Sequence, residues 1–302
     1  VSIFSLAALI LNFCKDLFDK SFLLSQLIIL APISEDYLVR KDSFLVLLYG
    51  LSLLALKALH KKKLTKLYCI LSVNIFSIVA ILSHESYGIW ALPSLLIIFC
   101  LLERFNNKSI SESILSSIFF LIPTLTSFIF CWAFKGNIDQ SLIIHQSWQS
   151  LKEILPSLGA INLNRPEGAI DAIGWGTSQV YTSSLISQFN LLIFWHPGMW
   201  LLTIFIVIRL FIGKIGDPYQ KAKRAIVCYQ LIAFLPMFLF VDIGRWIFMW
   251  LTSSALLFSF LIQVFGLNKV LLHSLKFKGS NIISKLIPGI SSIRRYNLFL
   301  LF

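Results

Sequence analysis

Residues 61–85 read KKKLTKLYCILSVNIFSIVAILSHE. No Asp, Glu, Lys, Arg or His stands between Lys66 and His84. A helix rising ~1.5 Å per residue carries such a stretch across most of a ~30 Å hydrocarbon core. The apolar residues run on continuously instead of alternating with polar ones, which predicts a spanning helix and excludes a barrel strand. Lys61, Lys62, Lys63 and Lys66 stand at one end of this span, and His84 and Glu85 at the other.

The same pattern repeats outward at 43–59, 87–102, 112–134, 190–212, 225–241 and 246–267. A shorter run at 21–33 also reads as a crossing, and 1–13 as the remnant of another, giving about eight or nine spans. Mean hydropathy is +0.83 and only 13% of residues are charged, against about 25% in an ordinary soluble domain. The expected fold is all-α, a polytopic transmembrane bundle forming a single integral membrane domain over residues 1–302. The chain begins at Val1 inside an apolar stretch, and is read as part of a longer protein without a cleavable signal peptide.

The connections differ sharply in charge. Those holding Lys15, Lys20, Lys57, Lys61–Lys66, Arg104, Lys108, Arg209, Lys214, Lys221–Arg224 and the tail from Lys269 carry twenty basic and five acidic residues, a balance of +15. The opposite side carries six basic and nine acidic residues, a balance of −3. Basic loops stay in the cytoplasm. These loops and the C-terminal tail are therefore expected on the cytoplasmic side of a bacterial inner membrane, and the other connections outside it. The formal charge of +12 then reports orientation, and no nucleic-acid partner is expected.

Residues 135–189 are the one long polar connection, an extracytoplasmic loop read as a lid. It contains an amphipathic stretch near 147–158 and the Gly-punctuated run around Trp175. Trp148 and Trp175 in this loop offer aromatic faces for sugar rings. The tryptophans at span ends, Trp90, Trp132, Trp195, Trp200, Trp246 and Trp250, read as an interfacial belt. The five cysteines, Cys14, Cys69, Cys100, Cys131 and Cys228, lack metal-type spacing and read as buried thiols.

Ionisable residues gather at the outer ends of spans: Glu35-Asp36 and Arg40-Lys41-Asp42, His84-Glu85, His196, and Asp242 with Arg245 in the run Asp242-Ile243-Gly244-Arg245-Trp246. Charges held at a hydrocarbon boundary are costly and mark functional sites by default. Each also has a plain structural reading: polar turns between spans, an Asp242–Arg245 pair joining two helices, and His196 as a helix-end residue before Pro197. His84-Glu85 does not begin a zinc-protease motif, because position 88 is Gly where a second His would be required. No glycine-rich phosphate loop, nucleophile elbow or dinucleotide fingerprint occurs. Inside the quoted span, Asn74 and Ser77 lie one turn apart. They could line a polar pathway, or make interhelical hydrogen bonds worth ~0.6 kcal/mol each, the preferred reading.

Acids, a histidine and cations at an outer membrane surface suit a lipid-linked pyrophosphate. Arginine grips phosphate oxygens bidentately and lysine adds a point charge. A carboxylate or imidazole can take the acceptor hydroxyl proton while the cations stabilise the leaving group.

Arg40-Lys41-Asp42 before a span, His84-Glu85 at a span end and Asp242-x-Gly244-Arg245-Trp246 between two late spans resemble a group of bacterial polytopic membrane proteins. These are similar to the exopolysaccharide and O-antigen polymerases and related membrane glycosyltransferases. The resemblance implies extracytoplasmic transfer or polymerisation of polyprenyl-pyrophosphate-linked sugar units. On that expectation Glu85 or Asp242 is the base and His84 orients or shuttles the proton. Arg40, Lys41, Asp42, Arg245 and Trp175 bind substrate. An alternative is a C-type glycosyltransferase with Glu35 and Asp36 as the acidic pair, and a further one is a transporter or flippase for a lipid-linked substrate. No cofactor is required, though oxygens of Glu35, Asp36 and Asp42 could hold a divalent cation weakly. The expected partners are the bilayer, a lipid-linked oligosaccharide and other polysaccharide-assembly proteins.

Overall fold

The computed structural model describes residues 42–134, 136–154, 218–236 and 243–266, together with Pro166 and Ile173. Among these residues the protein is helical, without strands: α1 (Asp42–His60), α2 (Lys66–Ser83), α3 (Ser86–Trp90), α4 (Leu92–Phe105), α5 (Ile110–Phe120), α6 (Ile122–Ala133), α7 (Ile138–Ile154), α8 (Pro218–Phe234) and α9 (Ile243–Phe265). Three stretches, Asp42–His60, Lys66–Ser83 and Ser86–Phe105, are long and apolar enough to cross a membrane. A fourth crossing results if α5 and α6, bent by 59° at their junction, count as one. The expected runs at 1–13, 21–33 and 190–212, most of the 135–189 loop and the tail lie outside the described residues.

Local chemistry sets the boundaries. α1 places Asp42 in its first turn and Lys57 and His60 in its last, matching the charge order of the helix macrodipole. It closes with Lys62 N–H on Leu59 O and Lys63 N–H on Ala58 O, both 2.9 Å, a Schellman pattern. The left-handed residue of that pattern is Lys62, with φ 55°, where a side chain costs roughly 1 kcal/mol. Ser109 and Glu112 form a reciprocal capping box on α5. α8 begins at Pro218 and ends at Phe234, earlier than the apolar run at 225–241 predicted. Proline suits a first helical turn, and Pro236 disfavours helix just before it. Gly266, at φ 65°, follows the end of α9.

The proline-marked run 112–134 is a broken helix, and Asn74 of α2 sits in the break. Its Nδ2 donates to Phe120 O at 2.9 Å, and its Oδ1 accepts from Thr124 N–H at 3.2 Å and Thr124 Oγ1 at 2.7 Å. Phe120 O and Thr124 N–H are the pair that an unbroken helix would join. The carboxamide is spliced into that missing bond, a recognised cause of a sharp bend. Nδ2 also donates to Ile70 O at 2.8 Å. The interhelical reading of Asn74 therefore holds.

Antiparallel contacts order the ends. Lys66 Nζ meets Glu103 Oε1 at 2.9 Å, Lys57 reaches Gln263, and His60 and Phe105 both touch the Phe265 ring. The end of α1, the start of α2, the end of α4 and the end of α9 thus share one end of the bundle. The start of α1, the end of α2, the start of α3 and the start of α9 share the other.

Candidate functional site

At that second end, His84 and Glu85 occupy the break between α2 and α3. His84 caps α2 in an extended conformation, its N–H on Ala80 O at 2.9 Å. Its carbonyl accepts from Tyr87 N–H at 3.1 Å and starts the next helix. Its ring packs edge-on against Trp246 of α9, centroids 6.1 Å apart. The His84 side chain is 17% exposed and that of Glu85 60% exposed, so a shielded imidazole stands beside a wet carboxylate. Glu85 also lies at the N-terminus of the Ser86–Phe105 stretch, where helix dipoles favour an anion.

His84 Nδ1 faces two partners, Ser86 N–H at 3.4 Å and Glu85 Oε2 at 3.5 Å. The Ser86 N–H is the hydrogen-bond donor to Nδ1, and the Glu85 carboxylate lies beside it at ion-pair distance.

Of the other expected site residues, Asp42 lies in the first turn of α1, at the same end of the bundle, and is buried. Arg245 lies in the first turn of α9, one residue before Trp246, with only its backbone described. The structure thus gathers His84, Glu85 and the Gly244-Arg245-Trp246 turn, with Asp42 at the same end. Glu35, Asp36, Arg40, Lys41, Trp175, His196 and Asp242 lie outside the described residues, so the acidic pair falls there entirely, and of the three residues expected to hold a divalent cation only Asp42 is described.

The belt reading of the tryptophans is corrected for three of them. Trp90, Trp246 and Trp250 are buried. Trp90 stacks on Phe234 at 5.2 Å and meets Tyr49 and Tyr87 edge-on, while Trp250 Nε1 donates to Val227 O at 3.1 Å. Packing against other helices took these rings out of the interface. Trp132 is exposed, as a belt residue should be.

Two features escaped the sequence reading. The first is a directed hydrogen-bond chain beneath the site: Gln230 Nε2 to Tyr49 OH at 3.5 Å, Tyr49 OH to Ser94 Oγ at 2.9 Å, and Ser94 Oγ to Ala91 O at 2.7 Å. The hydroxyl of Tyr87 lies beside those of Ser77 and Ser52 in the same region. The second is His145 on α7, buried with Ser141 one turn before it. Its signal was the i, i+4 spacing of two polar residues on one face of the expected loop.

Fold and site together define a class: among the described residues an all-helical protein, with three helical stretches long and apolar enough to cross a membrane and a His–Glu pair at one end of them. Comparison with known protein families, with curated proteins and with solved structures finds no match.

Proposed function

We propose that this protein is a membrane glycosyltransferase or polysaccharide polymerase of the bacterial inner membrane. It would join polyprenyl-pyrophosphate-linked sugar units at its extracytoplasmic face. The observation that carries this reading is the meeting of His84 with Trp246, which brings a shielded imidazole and a wet carboxylate to the helix turn that carries Arg245. Arg245, with Arg40 and Lys41, grips the pyrophosphate and stabilises the charge that develops as it leaves. Glu85 or Asp242 accepts the acceptor hydroxyl proton, and His84, beside Glu85, orients that carboxylate or shuttles the proton. Asp42 and Trp175 complete the substrate contacts.

The test is the lipid-linked oligosaccharide pool in cells carrying Arg245→Ala, compared with wild type and a deletion. Single repeat units should build up on the outer leaflet while the variant remains inserted. Units held on the inner leaflet would instead assign translocation, and an unchanged pool would return Arg245 to a helix-joining role. Glu35→Ala and Asp36→Ala are compared with Glu85→Ala in the same assay. A greater loss from the first two would transfer the base to the early acidic pair.

A further inference from the structure

We infer that the turn between α1 and α2, with the outer face of α2 beneath it, is a binding site for one anionic phospholipid of the surrounding bilayer. This does not depend on the glycosyl-transfer reading, because the turn lies at the end of the bundle opposite His84 and Glu85.

The headgroup half of the site is Lys61-Lys62-Lys63. All three side chains are exposed, and no ion pair among the described residues holds any of them. Their neighbours are already engaged: Lys57 with Gln263, and Lys66 and Lys108 with Glu103. The Lys66–Glu103 contact draws the α4–α5 turn alongside, and with it Arg104, whose guanidinium donates to Lys108 O.

The backbone supplies an independent observation. Lys62 holds the left-handed position of the Schellman turn, with φ 55°, a place where glycine is favoured. A lysine kept at a strained position points to a use for its charge.

The tail half of the site is on α2. Leu67, Leu71, Ile75, Val79 and Leu82 are all exposed and recur at spacings of four, four, four and three along one helix face. Tyr68, also exposed, stands where the stripe meets the lysines, as tyrosines do at a membrane interface. From Leu67 to Ile75 the stripe covers about 12 Å of helix, close to the ~15 Å half-thickness of a hydrocarbon core. One molecule with a net negative headgroup at one end and an acyl chain at the other matches both halves. In a zwitterionic lipid the phosphate is already neutralised by its own ammonium group, which leaves only the second half matched.

The test is native mass spectrometry of the full chain in nonionic detergent with dioleoylphosphatidylglycerol or dioleoylphosphatidylcholine. Wild type should retain phosphatidylglycerol in preference to phosphatidylcholine. K61Q/K62Q/K63Q should lower phosphatidylglycerol occupancy at least about tenfold, each surface lysine near an anionic leaflet being worth roughly fivefold, and leave phosphatidylcholine unchanged. K276Q/K278Q/K285Q, which removes equal charge from the tail, should keep the preference. Lys62→Gly guards against a folding artefact: it eases the turn and should raise the melting temperature while weakening phosphatidylglycerol retention. Undiminished retention in K61Q/K62Q/K63Q or Lys62→Gly, or equal loss in the tail variant, would overturn the site. So would a dimer that K61Q/K62Q/K63Q dissociates while lipid binding stays constant, because that outcome gives the face to a second copy of the chain.

Discussion

Asn74 makes four hydrogen bonds from one carboxamide, to Ile70 O, Phe120 O, Thr124 N–H and Thr124 Oγ1. In a hydrocarbon setting no water replaces a lost partner, so each freed backbone group bears its full desolvation cost. Asn74→Leu should therefore destabilise the protein by about 2–4 kcal/mol, read from denaturant or thermal unfolding in detergent. Asn74→Asp keeps the acceptor that serves Thr124 but sets a carboxyl against the Ile70 and Phe120 carbonyls inside the span, and should destabilise at least as much as Asn74→Leu. Equal stability of Asn74→Leu and wild type would mean that the α5–α6 break holds itself open. The residue was legible in the sequence as a polar group seeking an interhelical partner. Its insertion into the 120–124 bond was not, because that depends on where a helix some fifty residues later passes. Tyr49, Ser94 and Gln230 were illegible for a related reason. Hydroxyls and amides inside apolar runs are tolerated singly, and nothing local shows that three helices bring them into one chain.

At the scale of elements, the charge-free runs made the helices readable, and caps and prolines account for the differences at their ends. The run at 112–134 shows the limit. A proline at position 123 is compatible both with a kinked single span and with two helices meeting at 59°. The packing of α3 on α6 depends on Gly88, where a Cβ would overlap the Phe128 ring. The ring can turn aside only by losing its own packing, so Gly88→Ala should cost about 1–3 kcal/mol. Phe128→Ala should recover most of that cost in the double variant, which a thermal-unfolding cycle measures as coupling. Additive losses would show that the two helices are not held through this contact. In the sequence Gly88 mattered only for what it excluded, a second histidine after His84. Its use as a seat for an aromatic ring needed the tertiary structure.

At the scale of the whole molecule, the chain sorts its charge between two ends. Lys57, Lys61–Lys63, Lys66, Arg104 and Lys108 lie at one, and Asp42, His84, Glu85 and the start of α9 at the other. This sorting was legible because spans alternate in direction and loops carry their charge on one side or the other. The meeting of His84 with Trp246, about 160 residues apart in the chain, was not, because order along the chain leaves open which spans become neighbours. Everything proposed for catalysis requires the His84–Glu85 end to face outward. Single cysteines at Glu85→Cys and Lys62→Cys, in a chain whose five native cysteines are serine, test this with a membrane-impermeant maleimide applied to intact cells. Labelling is expected at position 85 from outside, and at position 62 only after the membrane is opened. Labelling at 62 in intact cells, with 85 protected until lysis, would contradict it and move the proposed chemistry to the wrong side of the membrane.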